Sequence, residues 1–215
     1  MGFGDELAGI KRMAIERRGA EVIATYERGI DELRAAGIAG RALAAGDAMP
    51  NFELPDAHGR TVRSADLIAG GPLIVTFYRG GWCPYCNLEL RAYQAAIGRI
   101  RQAGAAVVAI SPELPDRSLA TAAKNELAFD VLSDPGNGVA RRFGLVFRLS
   151  DELVDIYRRN GNDLERHNGD GSWELPIPGT FLVDRTGRIA LADVDPDYSR
   201  RLDPAEVLGA LEKLG

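Results

Sequence analysis

Residues 76–93, TFYRGGWCPYCNLELRAY, contain both cysteines of this 215-residue chain. The stretch begins within an apolar run, residues 73–78, that predicts a buried strand, and after a glycine turn it continues with the periodicity of a helix. Pro84 fits the first turn of that helix, because its missing N–H would have no partner there. The pattern therefore places Cys83 at the open start of the helix and Cys86 one turn further on.

The helix has one apolar row, in which Leu90, Tyr93, Ile97 and Ile100 follow Cys86 at helical spacing. Cys86 should therefore be shielded. Free N–H groups and the helix dipole should lower the pKa of Cys83 and make it the reactive thiol. A disulfide between the two would close a very short loop and add little stability, since the entropic gain grows with loop length. Redox chemistry is the better interpretation of the pair.

Metal binding is not expected at these cysteines. A structural zinc site needs about four ligands, whereas the chain has two cysteines and two histidines in all. His58 and His167 lie far apart in Gly- and Asp-rich segments without metal-ligand spacing. Residues 160–172 are predicted to form an exposed loop, which makes His167 a surface residue. No cofactor is expected either.

The wider chain contains three motifs in a recognisable order: GDAMPNFELPDAHGR at 46–60, FYRGGWCPYC at 77–86 and PIPGTFLVDRTGRI at 176–189. They resemble the peroxiredoxin-like branch of the alkyl hydroperoxide reductase/thiol-specific antioxidant (AhpC/TSA) family. The resemblance implies an α/β chain with a thioredoxin-like fold, a mixed central sheet with helices on both faces, over residues 46–215. The strand-helix-strand and strand-strand-helix patterns agree with that fold.

The motif WCPYC resembles the active sites of thioredoxins and glutaredoxins. That resemblance assigns supporting roles to Trp82, Pro84 and Tyr85 around the two cysteines. Arg79, four residues before Cys83, is either a cation that serves the thiolate or an ordinary solvated arginine at the end of a strand.

The sequence departs from the family pattern at three positions. Peroxiredoxins carry Pro-x-x-x-Thr-x-x-Cys, but here the threonine place holds Gly80 and the proline place holds Thr76. A later arginine of the family corresponds to Pro178, and a proline there resembles the cis-proline that faces the cysteine pair of thioredoxins.

We therefore predict a cis Ile177–Pro178 bond close to Cys83. Gly179 and Thr180 carry the chain from this turn into the next strand and are included among the supporting site residues.

Two reactions remain open. The first is reduction of hydroperoxides, in which Cys83 becomes a sulfenic acid and condenses with Cys86. The alternative is thiol–disulfide exchange with a protein or small-molecule disulfide. Either reaction implies a thioredoxin- or glutathione-type reductant. A non-catalytic binding module is disfavoured by the two intact cysteines.

The remaining sequence limits partners and location. The net charge is −5 and no basic stripe occurs, so nucleic-acid binding is not expected. No apolar run is long enough to span a bilayer, and the acidic N-terminus lacks an apolar core, so we expect a cytoplasmic protein without membrane contact. Residues 1–45 predict a helical extension, broken near Gly19 and ended near Gly37, which either packs on its own domain or forms a homodimer. Residues 46–62 predict a β-hairpin.

Overall fold

The computed structural model describes residues 2–214. The helices are α1 (Phe3–Arg18), α2 (Ala20–Ala35), α3 (Ser64–Gly70), α4 (Pro84–Gln102), α5 (Pro115–Lys124), α6 (Gly138–Arg142), α7 (Asp151–Arg159), α8 (Leu164–Asn168) and α9 (Pro204–Leu211). The strands are β1 (Glu53–Pro55), β2 (Thr61–Arg63), β3 (Leu73–Phe77), β4 (Ala106–Ser111), β5 (Asp130–Ser133), β6 (Val146–Arg148), β7 (Glu174–Pro176), β8 (Gly179–Val183) and β9 (Ile189–Val194).

Five strands form one sheet in the order β5-β4-β3-β8-β9. Strands β3, β4 and β5 are parallel, while β8 and β9 are antiparallel to their neighbours. The predicted mixed sheet is therefore present. The predicted N-terminal hairpin is β1 paired with β2, and β6 and β7 form a second small ribbon.

The central strand β3 is buried on both faces, which explains its unbroken apolar sequence. Leu73, Val75 and Phe77 pack with residues of the N-terminal hairpin, α3 and α6. Ile74 points to the opposite face, where it packs with side chains of α4 and α9. Helices thus cover both faces of the sheet. The turn that follows the carboxyl end of β3 places the cysteines at the start of α4.

The two predicted N-terminal helices are present, with the break at Gly19. α1 packs against α4, and α2 packs against α7. Tyr26 and Ile30 are the buried apolar side chains of α2, and Tyr26 joins an apolar cluster with α7. The extension therefore packs on its own chain. Its role in a homodimer stays a prediction, as does the division of the chain at residue 45.

The prediction of an exposed loop over residues 160–172 is wrong in its centre, where the short helix α8 forms. Asp163 begins this helix by accepting a hydrogen bond from the Arg166 N–H at 3.3 Å. Leu164 and Asn168 are buried, and Leu164 packs with Trp173. An apolar anchor and a helix cap outweigh the glycine-rich composition of this segment.

The predicted cis bond before Pro178 is also wrong, because residues 2–214 contain no cis peptide bond. Only Ile177 and Pro178 separate β7 from β8, and the Ile177 N–H donates to the Leu145 carbonyl at 2.8 Å. A trans bond is the lower-energy isomer and keeps this connection extended. None of the helices in the described part of the chain combines the length and apolarity needed to cross a membrane.

We predict that Gly144→Ala destabilises the protein more than Gly161→Ala. Both glycines have φ near +76°, at +75° and +77°, which costs an L-residue about 1–2 kcal/mol. A Cβ at Gly161 meets open space, whereas one at Gly144 would collide with the backbone carbonyl of Arg41. Urea unfolding of the two variants measures the difference. Equal losses of unfolding free energy in the two variants would contradict the tight contact between Arg41 and Gly144.

Candidate active site

The turn between β3 and α4 needs its two glycines. A Cβ at Gly80, whose φ is +149°, would collide with the Trp82 indole, and a Cβ at Gly81 would collide with the Thr121 hydroxyl. The turn ends at Cys83, which is the N-cap residue of α4, and Pro84 occupies the first helical turn. The predicted position of Cys83 at the helix start is therefore correct.

The expectation that Cys86 is the more shielded of the two cysteines is wrong, because the two do not differ in exposure. Both cysteines are fully buried, lie 3.1 Å apart and are free thiols. Trp82 and Tyr198 pack against the apolar cluster that contains both cysteines, as do Leu7 and Ile10 of α1. The helix-start position was readable in the sequence, but the side chains that cover it come from distant segments.

Arg79 is a buried cation rather than a solvated one, with 4% of its surface exposed. Its Nη2 donates to the Cys83 Sγ at 3.4 Å, and its Nη1 donates to the Tyr157 hydroxyl at 2.9 Å. The guanidinium lies over the Tyr198 ring, 3.8 Å from its centroid, and 5.1 Å from the Trp82 ring. A hydroxyl and two π-faces thus hold the positive charge against the sulfur.

A second buried arginine, Arg201, contacts the Cys86 sulfur. The Nη2 of Arg201 donates to the Cys86 Sγ at 3.4 Å, and its Nε donates to the Glu89 carboxylate at 2.7 Å. The Glu89 carboxylate also accepts weak hydrogen bonds from the Thr180 hydroxyl at 3.3 Å and the Thr76 hydroxyl at 3.4 Å. The Thr180 hydroxyl therefore contacts the Glu89 carboxylate and not a cysteine sulfur.

Arg201, Tyr157 and Tyr198 were missed by sequence reasoning, because nothing in the sequence around them marks them. Glu89 did leave a signal, since it follows Cys86 by three residues and lies beside Leu90 on the apolar row of α4. An acidic residue in a buried row requires a cationic partner.

The two cysteines differ strongly in acidity. Burial alone would raise the pKa of Cys83, but the hydrogen bond with Cys86 and the charges of Arg79 and Arg201 lower that pKa well below its ordinary value. Burial raises the pKa of Cys86, and the hydrogen bond and negative charge of Cys83 raise it further. The reduced pair therefore holds its negative charge on Cys83.

The β4–α5 connection supports the cysteine turn through Glu113. The Glu113 carboxylate accepts a hydrogen bond from the Gly81 N–H at 2.8 Å. Burial raises the pKa of Glu113 to about 7. His167 Nδ1 lies 3.5 Å from this carboxyl, and burial lowers the pKa of His167. His167 was predicted at the surface, but it is partly buried beside Glu113, with 20% of its side chain exposed.

The other predicted site residues lie around this centre. Tyr85 packs edge-on against Tyr198, with ring centroids 5.7 Å apart. Pro178 lines a small cleft together with Arg79 and Tyr157. Gly179 pairs with Phe77 in the sheet, where a larger side chain would press on Val194.

A cavity of about 250 Å³ lies between the N-terminal helices and the cysteine turn. The side chains on the cysteine side are Arg79, Trp82, Pro84, Tyr85, Tyr157 and Tyr198. The facing side chains of α1 and α2 include Ile15, Arg18, Tyr26 and Ile30. The cavity reaches Arg79, which contacts the Cys83 sulfur.

Comparison with known proteins places the chain in a family. The model of the AhpC/TSA family matches residues 45–192. A putative peroxiredoxin of Mycobacterium tuberculosis is 36% identical over 150 residues, which cover 70% of this chain and 84% of that protein. The chain belongs to the AhpC/TSA family.

The chloroplastic relatives of the AhpC/TSA chain match a smaller part of it. The chloroplastic peroxiredoxin Q of Populus jackii is 36% identical over 100 residues, 46% of either protein. The chain spans about half the length of this relative and of the corresponding Sedum lineare protein, where the share is 53%. The crystal structure of peroxidoxin BcpB from Mycobacterium tuberculosis superimposes with a TM-score of 0.64 and 21% identity, over 80% of this chain and 99% of that one. The thioredoxin-like fold is thereby confirmed.

The family match leaves out two parts of the chain that enclose the site. One contains α1 and α2, and the other follows residue 192 and carries Tyr198 and Arg201. Side chains from outside the matched residues thus pack against the cluster that contains Cys83, and one of them, Arg201, contacts Cys86.

We predict that Arg79→Met raises the pKa of Cys83, because the cation that stabilises its thiolate is lost. Alkylation with a small reagent, followed across pH by mass spectrometry, should label Cys83 first in the wild type, with an apparent pKa below the free value of about 8.5. The labelling curve should shift to higher pH in Arg79→Met and shift back in part in Arg79→Lys.

The control for Arg79→Met is Arg185→Met, since Arg185 lies at the other end of β3, near Gly71 and Gly104. This control should leave the labelling curve of Cys83 in place. Preferential labelling of Cys86, or an unchanged curve in Arg79→Met, would show that Arg79 does not hold the thiolate.

Proposed function

We propose that the protein is a thiol-dependent peroxidase that reduces hydroperoxides with the Cys83–Cys86 pair. The observation that carries this proposal is the Cys83 sulfur at the start of α4, in contact with buried Arg79 and 3.1 Å from a second thiol. This arrangement combines a stabilised thiolate, a fixed cation and a nearby resolving thiol.

In the first step the Cys83 thiolate attacks one oxygen of the hydroperoxide. An S–O bond forms, the O–O bond breaks, and the alkoxide or hydroxide that leaves takes up a proton. The sulfur is oxidised to a sulfenic acid and the peroxide is reduced to an alcohol or water. Arg79 can stabilise the oxygen anion that departs, because its charge already lies beside the sulfur.

In the second step the Cys86 sulfur attacks the Cys83 sulfur. An S–S bond forms, the S–O bond breaks, and hydroxide leaves as water after taking up a proton. The two sulfurs are already close together, so no part of α4 has to unfold. A glutathione- or thioredoxin-type thiol then returns two electrons and two protons to the disulfide, and a thioredoxin has to displace the side chains that bury it.

Arg79 compensates for the departures from the family sequence pattern. The family places a threonine and a later arginine near the peroxidatic cysteine, and this chain has Gly80 and Pro178 there. Arg79 approaches Cys83 from four residues upstream and is fixed by Tyr157 and Tyr198. A cation is supplied from another position in the sequence.

Disulfide exchange is the second candidate function, and the Cys-x-x-Cys spacing favours it. Two observations weigh against a protein disulfide as substrate. Both sulfurs are fully buried, and the trans bond before Pro178 lacks the geometry of a thioredoxin substrate turn. A small hydroperoxide needs less opening than a folded protein does, and the cavity beside Arg79 provides a path for it.

We predict that hydrogen peroxide converts the reduced protein into the Cys83–Cys86 disulfide without over-oxidation. Cys86→Ser should accumulate the sulfenic acid at Cys83 and then the sulfinic acid, because no resolving thiol captures the intermediate. Cys83→Ser should show no turnover. Mass spectrometry after stepwise peroxide additions measures each species, and the two single-cysteine variants serve as controls for each other.

The same protein preparation should be tested with a small disulfide in place of peroxide. Turnover that is clearly faster with the hydroperoxide than with the small disulfide supports the peroxidase function. A wild type that forms its disulfide with the disulfide substrate but not with peroxide would overturn the peroxidase and select the exchange reaction.

A further inference from the structure

Arg201 comes from the segment between β9 and α9, 112 residues from Glu89 along the chain and outside the family match. The side chains of Arg201 and Glu89 are each 3% exposed. The guanidinium also donates to the Cys86 sulfur through Nη2 and to the backbone carbonyls of Tyr198 and Arg200 through Nη1. A buried ion pair in contact with the second thiol is more than packing requires, because burying two charges is costly.

The buried charges around the two sulfurs balance one thiolate. Arg79 and Arg201 are positive. Burial raises the pKa of Glu89, but the contact with Arg201, 2.7 Å away, and the hydroxyls of Thr180 and Thr76 oppose that rise and favour the carboxylate, which we take as the negative partner. One positive charge remains unbalanced among side chains that are almost fully buried. A single thiolate neutralises it, and in the reduced protein that thiolate is Cys83.

Oxidation of Cys83 changes this balance, because a sulfenic acid is neutral. The two guanidiniums then face Glu89 alone, and the remaining ionisable sulfur is Cys86, 3.4 Å from Arg201 Nη2. We propose that Arg201, held in place by Glu89, makes Cys86 the second nucleophile: the negative charge passes to the Cys86 sulfur when Cys83 is oxidised. This inference rests on the proposed function.

The atoms balance through both steps. The Cys83 thiolate and the hydroperoxide, with one proton, give the sulfenic acid and an alcohol. Cys86 then releases its thiol proton and attacks the Cys83 sulfur. The departing hydroxide takes up one proton and leaves as water, so that the pair ends as a neutral disulfide.

The pKa of Cys86 supports the order of events. Burial, the hydrogen bond with Cys83 and the negative charge of Cys83 raise that pKa, while Arg201 and Arg79 lower it. The negative charge of Cys83 disappears on oxidation, whereas both arginines stay. Tyr78 also faces Cys86, and burial raises the pKa of this tyrosine, so that it stays neutral. Asp193 faces Arg201 from β9, and burial raises the pKa of its carboxyl.

Glu89 has a distinct part in this scheme, because it limits the pair to one thiolate. Without its negative charge, two guanidiniums would support two thiolates, and Cys86 would ionise while Cys83 is still reduced. Thr76 and Thr180 hold the Glu89 carboxylate from β3 and β8 and thereby fix the position of Arg201.

The test measures Cys86 alone, in the Cys83→Ser background, where position 83 is neutral as it is in the sulfenic acid. Serine is also a good N-cap residue, so that α4 keeps its start. Thiolate absorbance across pH should give a Cys86 pKa below the free value of about 8.5. Adding Arg201→Met should raise this pKa, and adding Arg201→Lys should restore part of the shift. Arg200→Met is the matched control, because Arg200 is exposed and pairs with Asp195.

A kinetic measurement separates the two steps in proteins that keep both cysteines. Arg201→Met should slow disulfide formation more than sulfenic acid formation, about tenfold for each unit by which the Cys86 pKa rises above the pH. The sulfinic acid should accumulate as a result. Because Arg201→Met leaves Glu89 without a partner, Glu89→Gln is measured as well. In Glu89→Gln, we expect the reduced protein to contain a second thiolate, at Cys86.

Several outcomes would overturn the assignment. The first is a Cys86 pKa at or above the free value in Cys83→Ser. The second is a Cys86 pKa that does not change when Arg201→Met is added. The third is an Arg201→Met protein in which sulfenic acid formation and disulfide formation are slowed equally. The titration uses no peroxide, so it is independent of the proposed function. If the titration behaves as expected but peroxide forms no disulfide, the peroxidase proposal fails while the charge assignment stands.

Discussion

Two guanidiniums are buried beside two sulfurs, and this constraint organises the site. A buried charge costs several kcal/mol unless a partner compensates it. Arg79 is compensated by the Cys83 sulfur, the Tyr157 hydroxyl and the Tyr198 ring, and Arg201 by Glu89 and the Cys86 sulfur. The acidity of Cys83, the shielding of Cys86 and the need for an acidic residue on the buried face of α4 follow from this arrangement.

The family scaffold and the rest of the chain contribute different parts of the site. The AhpC/TSA match contains β3, α4 and both cysteines, and thus the proposed nucleophile and its helix. The unmatched parts supply side chains that pack against the cluster containing Cys83, and the arginine at Cys86. The surroundings of the two sulfurs are thus formed in part by residues outside the family match. We expect substrate size and the handling of the second thiol to depend on these residues.

The sequence was sufficient for local features and insufficient for distant contacts. The apolar run of β3, the turn glycines and Pro84 predicted the strand, the turn and the helix start, since those features depend on neighbouring residues. The burial of Cys83 and the contact of Arg201 depend on segments about a hundred residues away, which periodicity cannot place. The cis bond before Pro178 was an analogy with thioredoxins, and the short β7–β8 connection overrode it.

The charge balance at the two sulfurs is tested most directly by counting thiolates. The ultraviolet absorbance of the reduced wild-type protein at neutral pH, compared with that of the acidified protein, gives their number per chain. The account predicts one thiolate, and its loss on stoichiometric oxidation. A count of zero would mean that Arg79 and Arg201 do not stabilise a sulfur anion, and a count of two would mean that Glu89 does not offset Arg201.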